Sequence, residues 1–273
     1  NSVNITTSGA RSMYNALILQ LRKRPTGWWG GNFNYTYSRL NDNQVGASNY
    51  YSSAPGIQDN WNYIPGSPTY NPDIDYGLSL LDQPHKLVIS PIIQLPFGKG
   101  KAHLNQTGVA EYLLGGWSIS AVMTVQSGFP IGVSQTNGNN TNGGGQRPNV
   151  VPGVSFIANE DITQALKNSA GLNNQFLNAA AFTQAPTNTL GDAPRILPDV
   201  RSPMRNTTDL GINKEFRTGG STRATMRVEV INLFNNPWYA ALASTSVSST
   251  NFGKVTTQGN YSRLAQITLR LSF

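Results

Sequence analysis

The alternation of apolar and polar residues is the feature that most constrains this chain, and it is clearest over residues 261–273. One parity of that segment carries the apolar and aromatic side chains Tyr261, Ala265, Ile267, Leu269, Leu271 and Phe273. The other parity is mostly polar, with Ser262, Gln266, Thr268, Arg270 and Ser272, and Leu264 as the exception. Because successive side chains of a β-strand point to opposite faces, the segment is predicted to be a strand with one apolar face.

Six segments of the same kind precede it, so the sequence predicts seven strands. Their bounds are 12–24, 27–39, 85–97, 115–131, 205–217, 222–235 and 261–273. The first alternates poorly at Leu17, Ile18 and Leu19, and Pro91 in the third strand indicates a sheet edge or a bulge. A helical turn is expected within Asn159–Lys167, where EDITQALK has helical spacing.

The links between the predicted strands are short and long in turn along the whole chain. They are short near Pro25 and Thr26, long over 40–84, fairly short over 98–115, long over 132–206, short over 218–221 and long over 236–260. Outer-membrane barrels keep short turns in the periplasm and long loops outside. The predicted fold class is therefore all-β: an antiparallel transmembrane β-barrel with long extracellular loops, in the outer membrane of a Gram-negative bacterium. A soluble β-sandwich or an adhesin-like barrel is the alternative.

The apolar parity predicts which side chains face lipid, and the aromatic residues predict where the wall meets the two membrane interfaces. The convex, lipid-facing side is expected to carry Ile119, Met123, Val228, Ile267, Leu269 and Leu271. The aromatic girdle is expected to consist of Trp28, Trp29, Tyr37, Phe97, Trp117, Phe129, Phe216 and Phe234. Trp117 and Phe129 are twelve residues apart, which spans roughly 30 Å in a tilted strand.

Composition excludes several other classes of protein. No run approaches the 18 or so apolar residues of a transmembrane helix. The chain has no cysteine, so it has neither disulfides nor thiolate metal sites. The net charge of +7 could suggest nucleic acid, but the basic residues lie in small groups beside predicted turns. Nucleic acid is therefore not an expected partner.

Catalytic and metal-binding patterns are weak. Asp82 and His85 could activate water at a barrel mouth, but a hydrogen bond between loop and strand is the simpler interpretation. Asp73 and Asp75 could contribute oxygen ligands to calcium, yet the regular spacing and closing carboxylate of a calcium loop are missing. The expectation is no enzyme activity, no catalytic residues, no cofactor and no metal.

The polar parity of the last strands predicts the surface that faces the barrel interior. The expected lumen-facing residues are Asp209, Asn213, Glu215, Arg227, Glu229, Gln266, Thr268 and Arg270. Charges are tolerated there because they stay hydrated or pair with one another, whereas a charge facing lipid at the midplane costs about 2–4 kcal/mol. Solvating and cross-linking the wall is the simpler role, and a direct role in substrate passage is the alternative.

Seven strands is an odd number, whereas bacterial single-chain barrels close with an even number. At least one strand is therefore expected to be missing. The segment before Ser12, NSVNITTSGA, is typical of the end of an extracellular loop, which places the missing strands before it.

Several phrases carry a family resemblance, in an order that covers nearly the whole chain. They are YNALILQLRKR, GNFNYTYSR, DQPHKLVIS, QLPFGKGK, LLGGWSISAVMTVQSGFPIGV, QRPNVV, FLNAAAF, RSPMRNTTDLGINKEF, MRVEVINLFNNP and QITLRLSF. The chain resembles the C-terminal barrel of TonB-dependent outer-membrane transporters, of the type with an N-terminal carboxypeptidase-regulatory-like domain. The resemblance implies that residues 1–273 are the C-terminal portion of a barrel of about 22 strands, without its plug and N-terminal strands.

The same resemblance implies function and partners. The whole protein would take up a scarce nutrient such as a siderophore or an oligosaccharide, and TonB would bind through the missing N-terminal region. Membrane lipid, lipopolysaccharide and the barrel-assembly machinery are further expected partners. The expected assembly signal consists of Tyr261, Ile267, Leu269, Leu271 and Phe273. A passive porin or an adhesin-like structural barrel is the alternative function, and the substrate stays open.

Overall fold

The structure, a computed structural model, describes residues 10–43, 66–68, 70–71, 73–105, 108–136, 146–168, 174–187, 189–217, 222–239 and 242–273. Within them the elements in chain order are β1 (Ser12–Thr26), β2 (Trp29–Asp42), β3 (Gly77–Leu78), β4 (His85–Gln94), α1 (Val109–Leu114), β5 (Trp117–Gln126), β6 (Asn149–Val150), α2 (Ile162–Asn168), a 3-10 turn (Ala179–Ala181), β7 (Phe182–Thr183), β8 (Arg205–Arg217), β9 (Arg223–Ile231) and β10 (Leu264–Ser272). Each of the seven predicted strands is present.

One antiparallel sheet contains the seven long strands in the order β1-β2-β4-β5-β8-β9-β10, and the short strand β3 pairs with β2. Each long strand therefore lies beside the long strands that precede and follow it in sequence. The predicted all-β, antiparallel arrangement is confirmed. In the part of the chain that the structure describes, β1 and β10 lie at opposite edges of the sheet.

The pairing register aligns the apolar residues of neighbouring strands on one face. A single row across the sheet runs through Trp29, Ile93, Ile119, Ile212, Val228 and Ile267. A second row runs through Leu21, Phe33, Ile89 and Met123. Directly opposed residues of an antiparallel pair project to the same side, so the rows form a continuous apolar face. We call this sheet the wall, and these rows its apolar face.

Pro91 is neither at an edge nor in a bulge, which corrects the expectation from its position in β4. The strand is central, and its register with β5 is the same before and after the proline, from Ile89↔Met123 to Ile92↔Ser120. Gly31 lies opposite Pro91, and a Cβ at Gly31 would come within 2.9 Å of the proline Cα. The missing side chain of Gly31 allows the two backbones to lie this close beside the proline.

Several strands end earlier than predicted, and the structure shows the reason. β5 ends at Gln126 because the chain leaves the sheet at Gly128, where any Cβ would collide with the Ser202 carbonyl. β9 ends at Ile231, before Asn232 and Asn235 turn the chain with φ values of 54° and 52°. Asn and Asp tolerate this left-handed conformation better than other residues with side chains. The predicted helical turn is confirmed as α2, whereas α1, the 3-10 turn and the short strands were not predicted.

The buried hydrophobic core lies outside the wall. It is built from the links β5–β8 (127–204) and β9–β10 (232–263), whose described residues we call the loop cap. Its members are Ile131, Val133, Ile162, Phe176, Leu177, Ala181, Phe182, Ala193, Leu197, Val200, Phe252 and Val255. A soluble sandwich would have buried the apolar faces of two large sheets against each other instead. No helix among the described residues is long and apolar enough to cross a membrane.

Candidate functional site

The polar face of the wall brings together all eight residues that the sequence predicted to be lumen-facing. One row runs through Ser118, Asn213, Arg227 and Thr268, and neighbouring rows hold Glu229 with Gln266 and Glu215 with Thr225 and Arg270. Asp209 has the same parity and pairs with Val122 of β5. The common face follows from the register, and that this face lines a lumen stays a prediction.

The charges on this face form small networks across neighbouring strands. Arg227 Nη2 lies 2.5 Å from Glu229 Oε1, and Gln266 Nε2 donates to Glu229 Oε2 at 2.5 Å. Arg223 Nε lies 3.4 Å from Glu215 Oε1. The arginines of both pairs are more than half exposed, so water screens these ion pairs and each adds little stability. Such a surface suits contact with water or with a polar partner.

Asp209 has a different role from the other seven. Its Oδ1 accepts a hydrogen bond from the backbone N–H of Asn232 at 2.8 Å, just past the end of β9. The carboxylate therefore fixes the point at which the chain leaves the wall for the second link of the loop cap.

Three arginines of the loop cap tie it to the wall and to the β2–β4 link. Arg195 pairs with Asp42 at 2.8 Å, and its guanidinium also donates to the carbonyl oxygens of Asp42 and Leu78. Both side chains are less than a tenth exposed. Arg201 Nη2 lies 2.7 Å from Asp82 Oδ2, and Arg147 Nη2 lies 3.3 Å from Asp75 Oδ1. These anchors were not predicted from the sequence.

A cleft of about 620 Å³ lies between the loop cap and the β2–β4 link. Its lining includes the Arg147–Asp75 and Arg201–Asp82 ion pairs and Arg195, together with Tyr76 and Asp192. It lies at the long-loop end of the wall. Its charged groups of both signs could bind a polar ligand by hydrogen bonds, and its arginines are already engaged with carboxylates.

Inside the loop cap, side-chain amides satisfy backbone groups that the irregular chain leaves without partners. Gln135 Oε1 accepts from Ala185 N at 2.8 Å, and Gln175 Nε2 donates to the carbonyl oxygens of Leu177 and Phe252. Burial raises the pKa of the Tyr239 hydroxyl, which packs against the same core. The cap is thus held by both apolar packing and buried hydrogen bonds.

The two weak chemical patterns resolve into structural contacts. Asp82 is engaged with Arg201 and accepts from Leu40 N, whereas His85 Nδ1 shares a 2.8 Å hydrogen bond with the Tyr35 hydroxyl. Asp73 pairs with Arg11 at 2.9 Å, and Asp75 pairs with Arg147. Among the described residues there is no group of three acidic or histidine side chains that could hold a metal ion.

The predicted girdle residues lie at the two ends of the wall. Trp28, Trp29, Phe97, Trp117 and Phe216 lie where the short links join the strands, and Tyr37, Phe129 and Phe234 lie at the long-loop end. The Trp28 and Trp29 rings are 6.2 Å apart, and Lys23 Nζ lies 3.7 Å from the Trp29 ring centre. Their position at membrane interfaces stays a prediction.

Of the proposed assembly signal, Ile267, Leu269 and Leu271 lie on the apolar face of the edge strand β10, between 62% and 73% exposed. Phe273 follows the strand and is 99% exposed. Tyr261 lies before β10, and its carbonyl accepts from Asn232 Nδ2 at 3.0 Å. The predicted strand over 261–273 is therefore shorter at its start than expected.

Lys214 is a buried charged residue of the wall that the sequence did not single out. It opposes Trp117 and Met226, so it lies on the apolar face, yet it is only 2% exposed. The missed signal was the residue type itself: the alternation of Leu210, Ile212 and Phe216 places a lysine on the apolar face.

A comparison with protein-family models assigns this arrangement to a class. The model described as "Outer membrane beta barrel domain" matches residues 1–266. The chain belongs to this outer-membrane β-barrel family, and its location is the outer membrane. Searches of curated proteins and of solved structures returned no match.

Proposed function

We propose that the chain forms part of the wall of a TonB-dependent active transporter that takes up a scarce nutrient. The observation that carries the proposal is the charged, half-exposed polar face on a sheet whose first and last strands lie at opposite edges. A closed barrel built on such a sheet needs further strands. A wide barrel with a charged interior suits a polar plug domain, and the sequence phrases shared with TonB-dependent transporters support the same assignment.

In this proposal the wall and the loop cap have different roles. The loop cap, fixed to the wall by Arg195 and Arg201, forms the extracellular rim around the 620 Å³ cleft. The polar face provides a hydrated surface against which a plug can move, because its ion pairs exchange readily with water. No catalytic step is assigned to any residue.

Energised uptake by the full-length protein is the test. Cells would be offered a panel of ferric siderophores, cobalamin, oligosaccharides and peptides, with and without TonB and with and without an uncoupler of the proton gradient. We expect uptake of at least one substrate to be lost when either TonB or the gradient is removed. Uptake that persists without both would identify a passive porin instead.

The proposed partners follow from the same assignment. Phospholipid and lipopolysaccharide would cover the apolar face, TonB would bind a segment N-terminal to the barrel, and the barrel-assembly machinery would bind β10. If the full-length protein carried no TonB-contacting segment and no substrate of the panel bound, an adhesin-like structural role would replace transport.

A further inference from the structure

Helix α1 packs against the outside of the wall, in the link between β4 and β5. The Tyr112 ring lies 5.4 Å from the Phe216 ring. Phe216 opposes Ala224 of β9, which in turn opposes Leu271 of β10, so this contact is made on the apolar face. The helix therefore lies on the side of the wall that meets lipid in a barrel of this family.

Three carbonyl groups in the last turn of α1, those of Glu111, Tyr112 and Leu113, accept hydrogen bonds. The Glu111 carbonyl accepts from Gly115 N at 2.7 Å, and the Leu113 carbonyl accepts from the Trp117 indole at 2.9 Å. Lys214 Nζ donates to the Tyr112 carbonyl at 2.8 Å and also to the Gly115 carbonyl. A lysine at a helix C-terminus complements the negative end of the helix dipole.

This arrangement removes two energetic costs of an apolar environment, an unpaired carbonyl and an exposed charge. In lipid an unsatisfied backbone carbonyl costs several kcal/mol, and a charge on the apolar face is unfavourable. Lys214 and Trp117 satisfy the carbonyls at the helix end, while the helix covers Lys214 to 2% exposure. A helix end bathed in water would need neither contact, because water supplies the hydrogen bonds.

The outer side of α1 is apolar and uncovered. Val109, Leu113 and Leu114 are between 53% and 76% exposed, and Tyr112, whose ring also contacts Phe216, is 50% exposed. The opposite side borders a cleft of about 400 Å³ that is lined by Glu111, Lys99 and Lys101 together with Asn213 and Glu215 of the polar face. Lys101 Nζ donates to Gln94 Oε1 at 3.0 Å, so the polar side of the link is joined to the polar face of the wall. The link is therefore amphipathic, with its apolar side uncovered.

Three glycines allow the helix to lie this close to the wall. A Cβ at Gly116 would come within 2.5 Å of the Glu215 carbonyl oxygen, and φ there is +70°. A Cβ at Gly98 would lie 2.9 Å from the Gly115 Cα. The close packing thus depends on the backbone of this link and not only on its side chains.

We propose that α1 is a membrane-surface helix, inserted through Val109, Tyr112, Leu113 and Leu114 into the periplasmic leaflet of the outer membrane. Its occupant is the phospholipid of that leaflet, because the exposed side of the helix continues the apolar face of the wall without a polar break at Lys214. The inference does not depend on TonB or on transport, since a porin wall would place the helix in the same leaflet.

Site-directed spin labelling of the full-length protein in phospholipid vesicles tests this proposal. These 273 residues contain no cysteine. Once any cysteine elsewhere in the full-length protein is replaced, a label can be placed at Leu113→Cys, with Ile267→Cys on the apolar face and Leu190→Cys on the loop cap as controls. All three side chains are at least half exposed, which makes the positions comparable. Collision rates with oxygen, which concentrates in lipid, and with a neutral nickel chelate, which stays in water, would be compared.

We expect the oxygen-to-nickel ratio at Leu113 to resemble that at Ile267 and to exceed that at Leu190 several-fold. A ratio at Leu113 equal to that at Leu190 would overturn the proposal, whatever the value at Ile267. A Lys214→Met variant labelled at Leu113 provides a second measurement. The label should become more mobile and more accessible to nickel, because the Tyr112 carbonyl loses its donor; an unchanged spectrum would argue that Lys214 does not hold the helix.

Discussion

The wall and the loop cap use similar apolar side chains in opposite ways. In the loop cap, Leu177 and Leu197 are 0% and 1% exposed, whereas Ile267 and Leu269 of the wall are 73% and 67% exposed. The cap buries its leucines against its own links, as a small soluble domain does. The wall leaves its apolar side chains exposed, as expected of a barrel wall for which the membrane is the solvent.

The ion pairs of the two regions also differ in exposure: the anchor of the loop cap is buried and the pair on the wall is exposed. Arg195 and Asp42 of the cap anchor are less than a tenth exposed, whereas Arg227 of the wall pair with Glu229 is 52% exposed. Removing one partner of a buried pair leaves a charge without compensation, whereas removing one partner of an exposed pair leaves a hydrated charge. The comparison therefore predicts which substitutions are costly and where.

Asp42→Ala is expected to have the largest effect. It leaves the buried Arg195 guanidinium without its carboxylate, which should lower the free energy of unfolding by about 3–5 kcal/mol. The loss should appear as early proteolysis of the loop cap in the purified full-length protein. Glu229→Ala is the matched control in the exposed pair and should change stability by about 1 kcal/mol or less. Equal losses in the two variants would contradict the distinction.

Leu177→Ala tests the core of the loop cap. The side chain is fully buried, so its truncation should cost about 2–5 kcal/mol through lost burial and a residual cavity. Leu269→Ala removes the same atoms from the wall, where the side chain is 67% exposed. Urea unfolding in detergent micelles, where the exposed two thirds of Leu269 would contact detergent, should show a clearly smaller loss for Leu269→Ala.

Ile267→Arg and Thr268→Arg place the same charge on opposite faces of β10. At the middle of the strand, an arginine on the apolar face should destabilise the membrane-inserted protein by about 2–4 kcal/mol, and one on the polar face should have little effect. Folding into vesicles, followed by heat-dependent gel mobility, measures the difference. If both variants fold equally well, the apolar face does not meet lipid.

The wall could be predicted from sequence because its rules are local. Alternation has a period of two, so Ile119, Val228 and Ile267 could be assigned to one face before any pairing was known. Sequential antiparallel pairing then follows from neighbouring strands, and the register confirms the common face. Pro91 was the exception, because the glycine that accommodates it lies sixty residues earlier on another strand.

The loop cap could not be predicted, because its contacts join distant segments without a period. Arg195 meets Asp42 across 153 positions of sequence, and Phe176 packs with residues of the last link. No single-sequence pattern identifies which acid an arginine will bind. Helix α1 was missed for a related reason: six residues are too few for a periodic signal, and its stability comes from Lys214 and Trp117 of the wall.

The smallest effect on stability is expected at Phe273. Because this residue is exposed, its deletion can affect membrane assembly without affecting the stability of the folded protein. The side chain is 99% exposed, so deleting Phe273 should change the stability of a finished barrel by about 1 kcal/mol or less. The apolar face of β10 ending in an aromatic residue is nevertheless the feature expected to be recognised during membrane insertion. The full-length protein without Phe273 should therefore reach the outer membrane poorly and be degraded in the periplasm.

Phe216→Ala is the control for that prediction, because Phe216 is another rim aromatic at the same end of the wall and contacts Tyr112. A purely structural role for both rings would make the half-buried Phe216 the more important residue, since truncating it removes more contact area. A recognition role for the terminus predicts the reverse order in outer-membrane levels, with loss of Phe273 more harmful than loss of the Phe216 ring. Outer-membrane levels that are equal, or lower for Phe216→Ala, would show that Phe273 is an ordinary girdle residue.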